Sequence, residues 1–329
     1  MKKKITLILS IIGVALFINL IRKIGISTIL NTVKNISPLF LLILLFLRFI
    51  FWIIRTINWK IILLKCSIKL PFWKIFYARI SGFTVNYLTP SANIAGEAAR
   101  VMIINKDTDK NTLSTVILDK TIELIASAFT VMIAIAIAIY MIPMHRVQKY
   151  IYVGFILFSI ISIIFVLRKQ HQGLLKWIIG KLDKLKISFK FINNNLEKIK
   201  EIDENISSFY KNNKSSFIVI LSLYFLQMLI WTSEIFFTLR FLGMDSITFL
   251  NSFLIVSLGT VAFMLPVLPG GIGVYELTYL AIFELLGLNA AFCMALVITR
   301  RVIALVWAGI GLIFFAKAGI KKRDLVKKV

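Results

Sequence analysis

Long apolar runs without any charged residue alternate with short charged segments along the chain. Such runs cover Ile5–Ile21, Leu124–Met144, Tyr150–Leu167 and Ser215–Ser233. Each is close to the length of about 20 residues that a helix needs to cross a bilayer. Apolar and small residues alternate within Ile133–Ile139 as in a strand, but this stretch lies inside a long uncharged run. The pattern therefore predicts an all-α, polytopic helical membrane protein.

The runs divide the chain into a single integral membrane domain with two halves. The first half is 1–167, a basic amphipathic segment is 168–214, the second half is 215–316, and a basic tail is 317–329. Counting 71–105 as a segment that enters and leaves on one side gives about eight crossings, with both termini in the cytoplasm. The predicted membrane segments are 5–21, 38–64, 71–105, 113–141, 150–167, 216–239, 247–268, 270–286 and 289–316.

Two of these segments are interrupted by helix-breaking residues, one in each half. The second half contains Pro269-Gly270-Gly271-Ile272-Gly273-Val274-Tyr275-Glu276, at the end of an uncharged run that begins at Ser246. The first half contains the looser Pro90-Ser91-Ala92-Asn93-Ile94-Ala95-Gly96-Glu97. Irregular backbone at membrane depth survives only where protein buries it or where it lines a wet cavity. A pair of such breaks is typical of a transporter binding site. The sequence leaves open whether 71–105 and 270–286 are re-entrant or spanning.

The composition agrees with a membrane protein, and the charge is distributed as membrane topology requires. Apolar residues make up 59% of the chain, and the net charge is +24. The basic residues concentrate in 168–214 and 317–328, beside predicted spans, which is the positive-inside pattern. This distribution argues against nucleic-acid binding and places the protein in the cell membrane. Apolar residues that recur every three or four residues from Leu174 to Leu185 predict amphipathic helices that contact anionic lipid.

The sequence indicates neither a metal site nor a cofactor. Cys66 and Cys293 both lie in apolar surroundings, and the only histidines are His145 and His171. This is too few ligands for a histidine-rich metal centre.

Ionisable residues at predicted membrane depth supply the candidate binding site. An unpaired charge in lipid costs several kcal/mol, roughly, so these residues are expected to pair inside the bundle. Glu97 and Arg100 are three apart and can meet on one helical face. Asp119 and Glu123 are four apart and repel each other unless a basic group bridges them. The candidate site comprises Glu97, Arg100, Asp119, Glu123, Gly270, Gly271, Gly273, Glu276, Arg300 and Arg301, with Arg48, Arg55, Lys120 and Glu234 as secondary candidates.

Each candidate has a plain structural explanation beside the functional one. Arg240 and Glu284 lie near span ends and are interpreted as snorkelling or surface-paired residues. The three glycines alone would fit tight helix packing. Pro269 before them and Glu276 after them favour a functional break, in which the N-terminus of the following helix accommodates a phosphate.

These motifs together resemble a known family. The pattern runs from Pro90…Gly96-Glu97-Ala98-Ala99-Arg100 through Asp119-Lys120 and Glu123 to the proline–glycine block, Gly287 and Arg300-Arg301. It is similar to the flippase-like membrane domain of lysylphosphatidylglycerol synthases, an uncharacterised integral membrane protein family, over about Leu7 to Ala316. The family usually has arginine where this chain has Lys120, and its late arginine matches either Arg300 or Arg301.

The resemblance implies a lipid translocase that moves a phospholipid or polyprenyl-phosphate headgroup across the bilayer. In the fused synthases, a soluble domain after the membrane domain performs aminoacyl transfer. The resemblance here covers only the membrane domain, so we expect no such enzymatic activity.

Two other functions stay open at this stage. One is a membrane glycosyl- or phosphotransferase, or its accessory subunit, with Asp107-Thr108-Asp109 as an acid-x-acid metal and nucleotide motif. The other is a scaffold whose segment 168–214 recruits a cytoplasmic partner. Lipid identity, transport direction, energy coupling and oligomeric state are not fixed by the sequence.

Overall fold

The described part of the protein is helical throughout. The structure is a computed structural model that describes Arg22 and residues 37–89, 94–105, 112–143, 145–184, 196–260 and 274–325. Within those ranges the chain forms helices and short connections and no strand, so the predicted all-α class is confirmed. The helices are α1 (Pro38–Lys65), α2 (Phe72–Leu88), α3 (Ile94–Ile104), α4 (Leu113–Met141), α5 (Arg146–Gln172), α6 (Leu174–Lys184), α7 (Leu196–Asn212), α8 (Lys214–Phe241), α9 (Phe249–Gly259), α10 (Val274–Leu285) and α11 (Ala290–Leu325).

Five of these helices are long and apolar enough to cross a membrane: α1, α4, α5, α8 and α11. Their bounds lie within a few residues of the predicted spans, except that α11 continues past its apolar part. Little of the apolar stretch of α5 is buried by protein, whereas most of that of α11 is. We therefore place α5 at the lipid-facing periphery. The predicted first span, Ile5–Ile21, lies outside the described residues, so the count of eight crossings stays a prediction.

Helices α2 and α3 form an antiparallel hairpin, which matches the interrupted segment predicted at 71–105. The backbone N–H of Gly96 donates to Oδ1 of Asn86 at 2.6 Å, and the side chain of Arg100 passes over Gly82. The partner residues therefore run in opposite directions along the two helices. With 17 and 11 residues, the helices are about 26 and 17 Å long at 1.5 Å per residue, both less than a bilayer core of about 30 Å.

A second pair of short helices, α9 and α10, follows the long helix α8. They contain 11 and 12 residues and contact one another. A Cβ built on Gly259 would lie 2.7 Å from the ring of Tyr279, so only glycine permits this approach. The segment between them, 261–273, lies outside the described residues. Among the helices that the structure describes, the order of a long helix, two short helices and a long helix thus occurs twice, at α1–α4 and at α8–α11.

The chain divides into two compact units that interleave along the sequence. Unit 1 contains Met1–Thr56, Pro71–Asp107 and Leu226–Val329, and unit 2 contains Ile57–Leu70 and Thr108–Phe225. The sequence-based description as one domain with two consecutive halves is not tested by this division and stays a prediction.

Unit 1 is held together by two apolar clusters. One cluster joins α8, α9, α10 and α11 through buried residues such as Ile235, Tyr279 and Leu296. The other joins α1, α2 and α11 around Trp52 and Trp307. Helix α2 also packs closely on α11, where the Thr84 hydroxyl donates to the Ala308 carbonyl at 3.2 Å. Lipid chains are as apolar as these side chains, so close van der Waals packing and interhelical hydrogen bonds such as this one hold the helices together.

Unit 2 packs the amphipathic helix α7 against α4, α5 and α6. Its core contains Leu118 and Ile122 from α4, Ile206 and Phe209 from α7, and Tyr224 from α8. Burial raises the pKa of Tyr210, at the end of α7, well above its usual value, so this phenol stays protonated. Helices α6 and α7 lie within 168–214, where amphipathic helices were predicted, and the contact of this segment with anionic lipid stays a prediction.

Candidate functional site

An ion pair occupies the first two turns of α3, directly after the first break. The Glu97 carboxylate pairs with the Arg100 guanidinium, as their three-residue spacing predicted. The side chain of Arg100 is 3% exposed, whereas that of Glu97 is 20% exposed. Glu97 also lies in the first turn of α3, near the positive end of the helix dipole, where acidic residues are common stabilising neighbours.

The close approach of α2 to α3 fixes where Arg100 lies. A Cβ on Gly82 would meet Cγ of Arg100 at 2.6 Å and the Gly96 carbonyl oxygen at 2.8 Å. The absence of side chains at both glycines therefore lets the aliphatic part of Arg100 lie against the α2 backbone. This contact directs the guanidinium toward Glu97.

A second ion pair occupies the first turn of α10, directly after the second break. The Arg301 Nε donates to Glu276 Oε1 at 2.8 Å, and Arg301 Nη2 donates to the same oxygen. Arg301 comes from α11 and is 6% exposed, while Glu276 is 22% exposed. The buried hydroxyl of Tyr87, near the end of α2, lies within electrostatic range of both charges. Within unit 1, helix α2 therefore contributes to both ion pairs: Gly82 lies against Arg100, and Tyr87 lies near Arg301 and Glu276.

Arg300 and Arg301, which the sequence could not separate, have different surroundings. Arg300 donates from Nη1 to the Tyr279 hydroxyl at 2.8 Å, and its guanidinium carbon lies 4.8 Å from the centroid of the Trp231 ring. Tyr275 and Tyr279 also lie within 6 Å of it. Cation–π contacts of this kind stabilise a desolvated cation by roughly 2 kcal/mol. Arg301 is therefore the partner of the break-associated carboxylate, and Arg300 is held by aromatic rings.

The secondary candidates in unit 1 lie on α1 and α8. Arg48 pairs with Glu234, whose side chain is 1% exposed, and Arg48 also lies over the Phe51 ring at 4.9 Å. The guanidinium carbon of Arg55 lies 5.8 Å from the ring centroids of Phe51 and Trp52. The prediction that charges at membrane depth pair inside the bundle is thus confirmed for Arg48 and Glu234.

One buried arginine escaped the sequence interpretation. Arg79 on α2 is 2% exposed and donates from Nη2 to the Arg55 carbonyl at 2.7 Å. Its signal was present, because a charged residue occurs in the middle of an apolar helix. From the sequence, this helix was described only as part of the interrupted segment 71–105, and Arg79 was not included among the candidates.

The candidates in unit 2 have partners of their own. The Tyr224 hydroxyl donates to Oδ1 of the fully buried Asp119 at 2.9 Å. Lys120 Nζ lies 3.3 Å from Oε2 of Glu123. The repulsion expected between Asp119 and Glu123 is therefore reduced by a different local partner for each carboxylate.

We expect Tyr224→Phe to destabilise the protein by about 1.5–3 kcal/mol, because a buried carboxylate loses a hydrogen-bond donor. Chemical unfolding in mixed micelles measures this change. The matched control is Tyr140→Phe on α4, where the side chain is 92% exposed and no change is expected. Equal effects of the two substitutions would contradict a contribution from the Asp119 hydrogen bond.

Several sequence candidates lie outside the described residues. They are Gly270, Gly271 and Gly273 of the proline–glycine block, and Asp107 and Asp109 of the acid-x-acid motif. The proposed phosphate position at the N-terminus of the following helix therefore stays a prediction.

Comparison with known proteins identifies the family. A model of the lysylphosphatidylglycerol synthase TM region matches residues 5–311, which is nearly the whole chain. The chain belongs to this family. The charged pairs described above thus lie in an integral membrane protein of the lysylphosphatidylglycerol synthase TM-region family.

The chain is similar to three proteins named as UPF0104 membrane proteins. The chain is 25% identical to a UPF0104 membrane protein of Pyrococcus horikoshii over 316 residues, which cover 90% of this chain and 92% of that protein. It is 23% identical to a UPF0104 membrane protein of Methanothermobacter thermautotrophicus over 313 residues, covering 90% of each chain. It is 27% identical to one of Methanocaldococcus jannaschii over 229 residues, covering 67% of each. No solved structure matches the chain.

Proposed function

We propose that this member of the lysylphosphatidylglycerol synthase TM-region family is a lipid translocase that moves a phosphate-bearing headgroup across the bilayer. The headgroup is that of a phospholipid or a polyprenyl phosphate, and the lipid tails stay in the hydrocarbon during transfer. The protein acts in the cell membrane with both termini in the cytoplasm. Transport of this kind requires no chemical transformation by the protein.

The observation that carries the proposal is the repeated arrangement of one ion pair after each break. In both short-helix pairs, the second helix has a glutamate in its first turn that binds a buried arginine, Arg100 in one case and Arg301 in the other. Charged groups at membrane depth are costly and are functional candidates by default. The two arrangements lie in the same unit, and the end of α2 lies beside both.

The exposure of the two pairs supports a headgroup approach from the carboxylate side. About one fifth of each glutamate side chain is exposed, while each arginine is almost fully buried. A hydroxyl or amine of the headgroup donates a hydrogen bond to the glutamate carboxylate. The headgroup phosphate then competes with that carboxylate for the arginine guanidinium. Guanidinium groups bind phosphate in the same two-pronged geometry as carboxylate, so this exchange keeps the buried arginine satisfied.

Reconstitution into vesicles tests the proposal. We expect the purified protein to accelerate movement of fluorescent phospholipid or polyprenyl phosphate between leaflets, relative to protein-free vesicles. We expect Arg100→Ala to abolish this acceleration, because the headgroup loses a buried cation.

The matched control is Arg240→Ala. Arg240 is 45% exposed and lies 3.7 Å from the exposed Asp245 at the end of α8, so its loss should leave transport unchanged. Unchanged transport in a folded Arg100→Ala variant would reject this arrangement of the site.

A further inference from the structure

The indole of Trp177 lies beside the end of a membrane-spanning helix and close to two lysines. Trp177, on α6, contacts Phe165 of α5 edge to face, with ring centroids 5.4 Å apart. Lys169 Nζ and Lys181 Nζ lie 5.2 and 6.0 Å from the centroid of the same indole. Phe165 is exposed, as are other apolar residues along α5 such as Phe158 and Ile161. Lys169 follows Phe165 by about one helical turn. The group therefore lies where the uncharged run of α5 ends at Leu167 and charged residues begin.

Helix α6 is fixed in this position by a carboxylate from α7. The buried Asp203 accepts the backbone N–H of Leu175 at 3.0 Å and that of Lys176 at 2.6 Å, which caps the first turn of α6. Gly173, with φ +97°, makes the turn between α5 and α6. A Cβ there would lie 3.2 Å from Asp203 Oδ2. These contacts hold Trp177 and Lys181 in a defined position beside α5.

We propose that Trp177, Lys169 and Lys181 form a binding site for the phosphate of an anionic lipid at the membrane surface where α5 ends. Indole rings favour the headgroup level of a bilayer, because their apolar face and polar edge meet different surroundings there. The two ammonium groups add positive charge at the same level, and anionic lipid attracts basic residues near a membrane surface. Among the side chains that the structure describes, no carboxylate lies within 4.0 Å of either ammonium group; the Lys169 ammonium contacts the Gln172 amide oxygen at 3.5 Å.

A lipid fits this surface because the surface continues the lipid-facing side of α5. A bound lipid places its chains along exposed apolar residues such as Phe158, Ile161 and Phe165. Its phosphate then reaches the lysines at the helix end. Because Asp203 holds α6 in place, Trp177 and Lys181 of α6 stay beside Lys169 of α5, and the site differs from a diffuse basic segment whose charges act only by their number.

Native mass spectrometry of the full chain in detergent, titrated with phosphatidylglycerol, tests the site. We expect Lys169→Gln/Lys181→Gln to weaken phosphatidylglycerol binding about thirtyfold, the factor expected for two lysines at a membrane surface. Asp203→Ala, which leaves both lysines present, should weaken binding less, because it only loosens α6. Phosphatidylcholine, whose headgroup carries no net charge, should bind wild type and variants alike.

The matched control is Lys198→Gln/Lys200→Gln, which removes the same charge from exposed positions on α7. An equal loss of binding in this control would overturn a discrete site in favour of diffuse charge. Glycerophosphoglycerol has the same headgroup without chains and should compete poorly. Competition as strong as that of the lipid would overturn the membrane part of the proposal. The two proposals fail separately, because Lys169→Gln/Lys181→Gln is expected to lower phosphatidylglycerol binding whereas Glu276→Ala is expected to lower translocation in vesicles.

Discussion

Replacing Glu276 by alanine is expected to reduce headgroup translocation in vesicles to the protein-free rate. The substitution leaves the Arg301 guanidinium, 6% exposed, without the carboxylate that accepts its Nε and Nη2 hydrogen bonds. Breaking a buried pair by removing one partner costs about 3–5 kcal/mol, since a buried charge is left uncompensated. The loss of stability in Glu276→Ala should lie at the lower end of this range because Glu276 is itself 22% exposed. Leaflet-to-leaflet transfer and chemical unfolding in mixed micelles measure the two effects separately.

The exchanged pair Glu276→Arg/Arg301→Glu separates a structural role of this ion pair from a transport role. It restores opposite charges and should recover much of the lost stability. It should not recover transport, because the more exposed position then carries a cation instead of the carboxylate that the headgroup contacts. Recovery of both stability and transport would show that the pair acts only by holding α10 against α11. Asp245→Ala, which removes a partner of an exposed pair, serves as the control and should change neither quantity.

Any side chain at Gly96 is expected to prevent the α2–α3 hairpin from closing. A Cβ at this position overlaps the Gly82 carbonyl oxygen and the Asn86 side chain. A backbone carbonyl within a helix cannot move aside cheaply, so the two helices must separate. Excess volume in a packed core costs typically about 1–3 kcal/mol, and we expect Gly96→Val to exceed that range because the obstacle is backbone. The folded yield in detergent and the transport rate should both fall to background.

Gly154→Ala provides a matched control for that substitution. Gly154 lies in the first half of the spanning helix α5, and a Cβ there meets nothing within 4 Å. Alanine should therefore leave the fold intact, with a gain of about 0.5–1 kcal/mol from the lower flexibility of the unfolded chain. Similar losses in Gly96→Val and Gly154→Ala would contradict the proposed close approach of α2 and α3.

The long helices were predictable because membrane insertion depends on length and apolar content, which are properties of the sequence. The predicted span 113–141 coincides with α4, and the predicted span 38–64 differs from α1 by one residue at its end. The Glu97–Arg100 pair was likewise predictable, because residues three apart in one helix face the same side.

Contacts between distant parts of the chain were not predictable from the sequence. The partner of Glu276 lies 25 residues away and that of Glu234 lies 186 residues away. Several arginines at membrane depth were equivalent candidates, and the choice depends on which helix faces meet. The roles of Arg79, Tyr279 and Trp231 could not be predicted for the same reason, since each depends on contacts with a neighbouring helix.

The sequence by itself determined the class of protein, the long spans, the two breaks and the set of charged residues at membrane depth. These follow from local composition and helical spacing, since the bilayer requires every span to be apolar and every backbone polar group to be satisfied within its helix. The tertiary structure decided which charges pair, that Arg301 binds Glu276 while Arg300 lies among aromatic rings, and that Asp203 fixes α6. These depend on helix packing, where glycines such as Gly82 and Gly96 allow one backbone to approach another and so determine which side chains meet.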